Sequence, residues 1–375
     1  MIKIRSRALD VFRGLTVALM ILVNNPGSWG SVYPPFLHAP WHGLTPTDLV
    51  FPFFLFAVGN ALSLVSPDLK KSLKRTILIF LIGLGLNWVP MFTWVGDDLI
   101  FKSWTWINTE GAEVGLRIMG VLQRIALAYG FASVFCFFFK RQVFLVSVLL
   151  LILYWGLCAW LGTGDVYSIE GWFGTSLDRM IFGSLHLYQG EGVAFDPEGL
   201  MSTIPSISQV LLGFWAGEKL KSFGSEKILK NFSGTGSLLI LAGVIWDFIH
   251  PINKKIWTGS YVLVTTGLAL ILLGFLVEAL DVKKQKLKWA GFFEAFGKNP
   301  LFIFVMSALI PKTLGLIRIP AGEKFLTPFQ WFYENVCALF PGPPENGSLL
   351  YALILVGGYG VLVWWMDKRK IYVRV

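Results

Sequence analysis

The side chains able to do chemistry gather at a few places in this 375-residue chain. Two of its four histidines stand in the segment Phe36-Leu37-His38-Ala39-Pro40-Trp41-His42-Gly43-Leu44-Thr45-Pro46-Thr47-Asp48, which holds no Lys or Arg. A neutral imidazole takes a proton from an attacking nucleophile, or attacks an acyl group itself. The plainer alternative is a pair of histidines wetted by solvent at a membrane surface. His38 and His42 offer a metal two ligands with no third nearby, so no metal is expected. Asp48 follows Thr45-Pro46-Thr47, the pattern of a capping box with proline at the first helical position. The same carboxylate can orient the His38 imidazole, as the acidic member of a triad does, and the two readings are compatible.

Arg117, Gln123 and Arg124 lie together in an otherwise apolar stretch. Arg117 and Arg124, seven apart, are expected on one helix face, with Gly120 between them leaving room for close approach. Arg124 then sits about ten residues, or ~15 Å, into its helix. A charge at that depth needs a carboxylate (Asp10, Asp247 or Glu278) or a ligand that it grips. Asp196-Pro197-Glu198-Gly199 reads as a helix-opening turn. In Gly297-Lys298-Asn299-Pro300, Asn299 is a plausible N-cap, and the free amides beside Lys298 can hold phosphate. Cys136, Cys158 and Cys337 show no metal spacing and are read as inert.

The elements that position these groups are membrane helices. Charged residues make up 15% of the chain and hydrophobic ones 55%, against about a quarter charged in a soluble domain. The mean hydropathy is +0.63. A cytosolic enzyme, a disordered protein and a secreted disulfide scaffold are excluded. The expected fold is all-α, one polytopic domain over 1–375 with about ten transmembrane helices near 8–25, 48–66, 76–95, 114–139, 142–161, 203–220, 232–250, 259–280, 299–318 and 348–366. Asp10 and Arg13 inside the first span, and the lack of a small-x-small site after it, argue against a cleaved signal peptide. No internal repeat and no soluble domain are visible. Most of the tryptophans, Trp257 among them, fall at span ends and read as an interfacial belt.

Basic residues set the orientation. Twenty-two Lys and Arg fall on one face: Lys3, Arg5 and Arg7, then residues of the 67–75 turn, Lys140 and Arg141, 219–230, 283–298 and the tail to Arg374. Five fall on the other: Lys102, Arg179, Lys254, Lys255 and Lys324. Both termini are therefore expected in the cytoplasm. The net charge of +9 is a topology signal, and no nucleic-acid partner is expected. Lys254 and Lys255, after Asn253, break the rule and need another reason: they cap carbonyls of the seventh span or contact a ligand.

Several of these segments together resemble the heparan-α-glucosaminide N-acetyltransferase family. They are Ala8-Leu9-Asp10-Val11-Phe12-Arg13-Gly14, His38-Ala39-x-Trp41-x-Gly43-Leu44-Thr45, Asp48-Leu49-Val50-Phe51-Pro52, Leu122-Gln123-Arg124, Asp196-Pro197-Glu198-Gly199, Pro251-Ile252-Asn253-Lys254 and Gly297-Lys298-Asn299-Pro300. The likeness is to the bacterial short forms, of NagX type, which lack the lumenal N-terminal region and additional span of the lysosomal enzyme. It implies a transmembrane acetyltransferase of the cytoplasmic (inner) membrane. Acetyl-CoA is its co-substrate on the cytoplasmic side, and the amine of a glucosamine-type sugar is the acceptor on the other. It also implies a bilayer as surroundings and leaves room for a homodimer. By resemblance His38 is the active-site histidine, as base or acetyl carrier. Asn24, at the outer end of the first span, lines the site as a donor to the oxyanion, with Asp48 steadying the imidazole. Arg124, Gln123, Asn253, Lys254, Lys298 and Asn299 are candidates for holding acetyl-CoA or acceptor. His42 stands where the lysosomal enzyme has Asn. The competing class is a sugar (N-acetylglucosamine) permease, which internal repeats and helices broken at the midplane would favour.

Overall fold

The computed structural model describes residues 6–65, 68–108, 110–222, 225–322 and 324–373. Thirteen helices follow one another among them: α1 (Arg7–Asn24), α2 (Val50–Ser63), α3 (Leu69–Trp88), α4 (Val121–Phe139), α5 (Val143–Leu161), α6 (Phe173–Phe182), α7 (Thr203–Ser222), α8 (Ser225–Asp247), α9 (Gly259–Leu276), α10 (Lys288–Lys298), α11 (Pro300–Leu314), α12 (Pro328–Phe332) and α13 (Pro344–Lys368). Each of the ten expected spans falls on one of them. Five helical runs are long and apolar enough to cross a membrane, 46–63, 121–161, 227–247, 259–282 and 344–368, and a sixth counts if α10 and α11, bent by 80°, are one span. The chain is thus a multi-pass membrane protein. The run of 121–161 folds back at Lys140–Gln142. Arg124 near its start lies within electrostatic range of Tyr154 near its end, far closer than ~1.5 Å per residue of straight helix allows.

The helix ends follow from local chemistry. Ser6 caps α1 by accepting from the Leu9 amide at 3.2 Å, and Asp68 caps α3 by accepting from Lys71 at 3.2 Å. That cap brings the basic run Lys70–Arg75 inside α3, so the third span sits earlier than expected, and Pro90 closes it before a hairpin begins at Phe92. The fourth span also differs, since residues 114–120 are not helical. Leu116 and Ile118 donate backbone hydrogen bonds to Trp104 and His186 instead, and Arg117 leaves the face expected to carry Arg124. Nor is the protein purely α. Three antiparallel hairpins, β1–β2 (Phe92–Val95 with Asp98–Phe101), β3–β4 (Thr105–Ile107 with Glu113–Gly115) and β5–β6 (Ile319–Ala321 with Lys324–Leu326), lie in the connections.

The helices α1, α2, α7 and α9 form the centre, joined by Leu55, Leu211, Phe214, Tyr261 and Leu270, all at most 1% exposed. Around them α3, α5, α8 and α13 turn Leu81, Leu149, Leu241 and Val361 outward, an apolar belt that suits lipid and not water. The described members of the basic majority gather at one end, tied by Lys140–Glu218, Lys298–Asp367 and Arg7–Glu294 pairs. Lys3, Arg5 and Arg374 lie outside the described residues. The opposite end carries the hairpins and the loops 25–45, 162–202 and 248–258.

The spacing of α2 and α7 fixes the heights of the loops at that opposite end, and glycine makes the spacing possible. A Cβ on Gly59 would fall 2.0 Å from the Val210 carbonyl oxygen, and one on Gly213 would fall 2.1 Å from that of Phe56. Because the obstacle is backbone, Gly213→Val is expected to cost at least the ~1–3 kcal/mol of an overpacked core. A thermal melt in detergent checks this: the variant should unfold well below the parent, and an unchanged midpoint would contradict the close crossing.

Candidate active site

Asp48 organises the hairpin-bearing end. Thr45 and Asp48 form the expected capping box, with Pro46 opening the short 3₁₀ turn that leads into α2. The box uses one carboxylate oxygen: Oδ2 accepts from the Thr45 amide at 3.0 Å, the Thr45 hydroxyl at 2.9 Å and the Ala39 amide at 3.1 Å. Oδ1 faces His38 Nδ1 at 2.7 Å. The capping and orienting readings are therefore both realised by one side chain. Behind it the Tyr261 hydroxyl of α9 donates to the Asp48 carbonyl at 2.6 Å. The His38 ring, the Ala39 and Thr45 amides and the nearby Lys254 ammonium surround the carboxylate with donors and opposite charge, which makes its burial tolerable.

The His38 side chain is 42% exposed although its partner is 1% exposed. With Nδ1–H donated to the ionised carboxylate, the Nε2 lone pair is left for chemistry. Lys254 reaches this ring from the loop between α8 and α9, its Nζ 2.9 Å from Nδ1 and 3.1 Å from Nε2. It caps no carbonyl of α8. Next to it Lys255 pairs with Glu191 at 2.5 Å and lies over the Trp41 ring. Asn253 is buried and closes its own turn, accepting from the Ile256 amide at 3.1 Å. Its Nδ2 lies 3.3 Å from His42 Nδ1, and Gly43 donates to the Ile252 carbonyl at 2.8 Å. Loops 38–48 and 250–258 are thus stitched together.

Arg124 stands beneath that second loop. It is fully buried and four residues into α4, close to this end of the bundle and not at mid-depth. None of the expected carboxylates pairs with it: Asp10 holds Arg13, Asp247 accepts from the Ile252 amide, and Glu278 holds Lys283. Its Nη2 donates to the Pro197 carbonyl at 2.5 Å and to the Ser202 hydroxyl. The guanidinium carbon lies 5.0 Å from the Trp257 ring centre. Trp257, expected at the interface, is completely buried and adopts the left-handed backbone at φ 54°. Asp196 and Glu198 do not cap α7. Asp196 takes Arg117 in a two-point grip at 2.8 and 2.6 Å, and Glu198 binds the same guanidinium at 2.6 Å.

Three of the expected site residues, His38, Asp48 and Lys254, come together, with Asn253 on the neighbouring His42. The others do not join them. Asn24 ends α1 with an exposed side chain that, among the described residues, makes no hydrogen bond to the cluster. Gln123 is buried and turned toward α3, where its amide oxygen would meet a Cβ on Gly83 at 2.5 Å, and its Nε2 donates to Ile118. Lys298 and Asn299 are at the basic end. Lys298 is already paired with Asp367 at 2.9 Å and Glu294 at 3.0 Å. Asn299 makes no cap: it donates to the Ile371 carbonyl and accepts from the Val373 amide. Among the described residues no group of three metal ligands occurs, and all three cysteines are buried. Tyr261 and Trp257 support the site, and nothing in their local sequence marks either for that role.

A multi-pass membrane protein carrying a carboxylate-oriented histidine and an adjacent lysine in its end loops is the class that fold and site define. Residues 5–243 match the family model for heparan-alpha-glucosaminide N-acetyltransferase, catalytic, and the chain belongs to that family. It is 28% identical over 438 aligned positions to the heparan-alpha-glucosaminide N-acetyltransferases of Mus musculus and of Homo sapiens, covering 99% of this chain and 60% of each relative. The chain thus spans about 60% of the length of the curated relatives it matches.

Asp48→Ala removes the acceptor that holds the Ala39 and Thr45 amides, so hydrogen exchange of the Leu37–Thr45 amides should be faster in the variant than in the parent. Equal rates would contradict the pinning.

Proposed function

We propose that this chain is a transmembrane N-acetyltransferase. It moves an acetyl group from acetyl-CoA, supplied at the basic end, to the amine of a glucosamine-type acceptor at the hairpin-bearing end. The basic end faces the cytoplasm, the site faces the periplasm, and the ten long helices cross the inner membrane. The observation that carries this reading is the His38–Asp48 contact at 2.7 Å, in a chain whose relatives bear that acetyltransferase name.

The chemistry follows from the pair. An amine that attacks a thioester must lose a proton, and the carbonyl oxygen must be stabilised as it becomes negative. Asp48 fixes the tautomer in which Nε2 accepts the amine's proton, or itself attacks and carries the acetyl group in a two-step route. In either route Asp48 stabilises the imidazolium that forms. The acyl donor needs contacts at the basic end, where Lys298 is held by Asp367 and Glu294.

The test is transfer of labelled acetyl from acetyl-CoA to glucosamine by the purified chain in detergent. His38→Ala should lower turnover by about 10³-fold, at the scale of a lost general base, while acetyl-CoA affinity stays within about threefold. His42→Asn should keep substantial activity. Sugar uptake into liposomes without acetylation would replace the enzyme by a permease. Orientation has its own check. In a background free of the three native cysteines, His38→Cys should react with an impermeant thiol reagent added outside, and Lys71→Cys should be shielded. The reverse pattern would overturn the assigned sides.

A further inference from the structure

Lys254 has a carboxylate for a neighbour, yet its ammonium does not settle on it. Nζ is 3.7 Å from Asp48 Oδ1 but 2.9 and 3.1 Å from the two ring nitrogens of His38. Asp48 is already satisfied without it, since its two oxygens take four other hydrogen bonds. A cation serving only to neutralise Asp48 would lie closer to the carboxylate than to the imidazole. The nearly equal distances put Nζ over the face of the ring, because a position in the ring plane would clash with Cε1. Nδ1 gives its proton to Asp48, so Nε2 is the ring nitrogen left for the reaction, and the ammonium stands beside it.

The loop carrying Lys254 is fixed from several sides. Asn253 closes the turn, the Thr258 hydroxyl accepts from the Asn253 amide at 3.0 Å and donates to the Pro251 carbonyl at 2.7 Å, and Trp257 rests on Arg124. The Lys254 side chain is 19% exposed, beside a His38 side chain that is 42% exposed.

We propose that Lys254 is a catalytic residue whose ammonium lies over the His38 ring in the resting site and receives the oxyanion when a thioester carbonyl arrives there. This rests on the acetyltransferase reading and adds the group that stabilises the negative charge, a role Asn24 does not fill in this geometry. In direct transfer the amine lone pair forms the C–N bond and the carbonyl electrons move onto oxygen beside Lys254. The amine's proton passes to His38 Nε2. Collapse of the tetrahedral species breaks the C–S bond, and the thiolate takes the proton from His38, giving amide and thiol. Lys254 keeps its protons throughout. Burial lowers its hold on them, while Asp48 and Glu198 oppose that and Lys255 adds to it. The outcome is an ammonium that donates strongly to an anion. The charged groups facing the His38–Lys254 pair are thus Asp48, Glu198 and Lys255, with the Tyr261 hydroxyl behind Asp48.

The experiment compares Lys254→Met and Lys254→Arg with the parent in the acetyl-CoA and glucosamine assay, across pH, using the full chain. Lys254→Met should lose at least about a hundredfold in kcat, the scale of one lost oxyanion donor, with the KM for acetyl-CoA within about threefold. Its acid limb should move to higher pH, because the cation that opposes protonation of the ring is gone. Lys254→Arg, which keeps the charge, should retain the parent limb and part of kcat. A merely structural lysine would not move the limb, so an unmoved limb or a parent-like kcat in a monodisperse Lys254→Met protein overturns the proposal. If Lys254→Met does not fold, a limb displaced upward in Lys254→Arg overturns it. A parent chain that transfers no acetyl at any pH sinks the acetyltransferase reading instead. Lys254 is then judged by ring NMR of His38: a titration shared by the parent and Lys254→Met refutes it, and an upward move in the variant supports the ammonium–ring contact.

Discussion

One buried carboxylate governs the geometry of the candidate site. Asp48 sits where a helix begins, so its side chain must satisfy the exposed amides of that turn, and it does so with Oδ2 alone. The same oxygen pins Ala39, so the loop from α1 closes back on the head of α2. Oδ1 is then free to point at His38. A carboxylate buried in this way is tolerable because nearly every lone pair has a donor. Its ionisation, its cap and its hold on the imidazole are one interaction.

A second polar knot supports the first without touching the ring. Arg117 gathers Asp196 and Glu198, which bends residues 196–199 so that the carbonyl of Pro197 meets Arg124. Arg124 in turn underlies Trp257, the residue whose left-handed backbone turns the chain from Lys254 into α9. Charge neutralisation at Arg117 thereby sets the height of the loop that delivers Lys254. The two knots meet through the Gly43 to Ile252 hydrogen bond and through α2 and α7, whose glycine-mediated crossing sets how far apart the two loops begin.

The parts of this arrangement that were readable in the sequence are those fixed by local rules. Apolar runs gave the helices, Thr45-Pro46-Thr47-Asp48 gave a cap that is present as written, and a histidine ten residues before an acid gave the pairing. What failed depended on contacts distant in sequence. Asp196-Pro197-Glu198-Gly199 has the composition of a helix start, and only the approach of Arg117 from 79 residues away makes it a guanidinium clamp. Hydropathy puts Arg124 too deep, because a helix over 114–139 does not register that Leu116 and Ile118 bond to the chain near Trp104 and His186. Asn299 has the residue type of a cap, yet the tail competes successfully for its amide. Trp257 shows the limit of the belt rule: a tryptophan at a helix end is interfacial unless a buried cation claims its face.

The distribution of cations carries a further meaning. At the hairpin-bearing end, Arg117, Arg179, Lys255 and Arg318 each have a carboxylate of their own in Asp196, Glu170, Glu191 and Asp97. Such pairs explain how positive side chains persist on the face that is poor in them. Lys254 stands apart from these four because the nearest carboxylate is already committed to His38 and to three donors of the cap. Its charge is therefore set beside the imidazole, next to a His38 side chain that is 42% exposed.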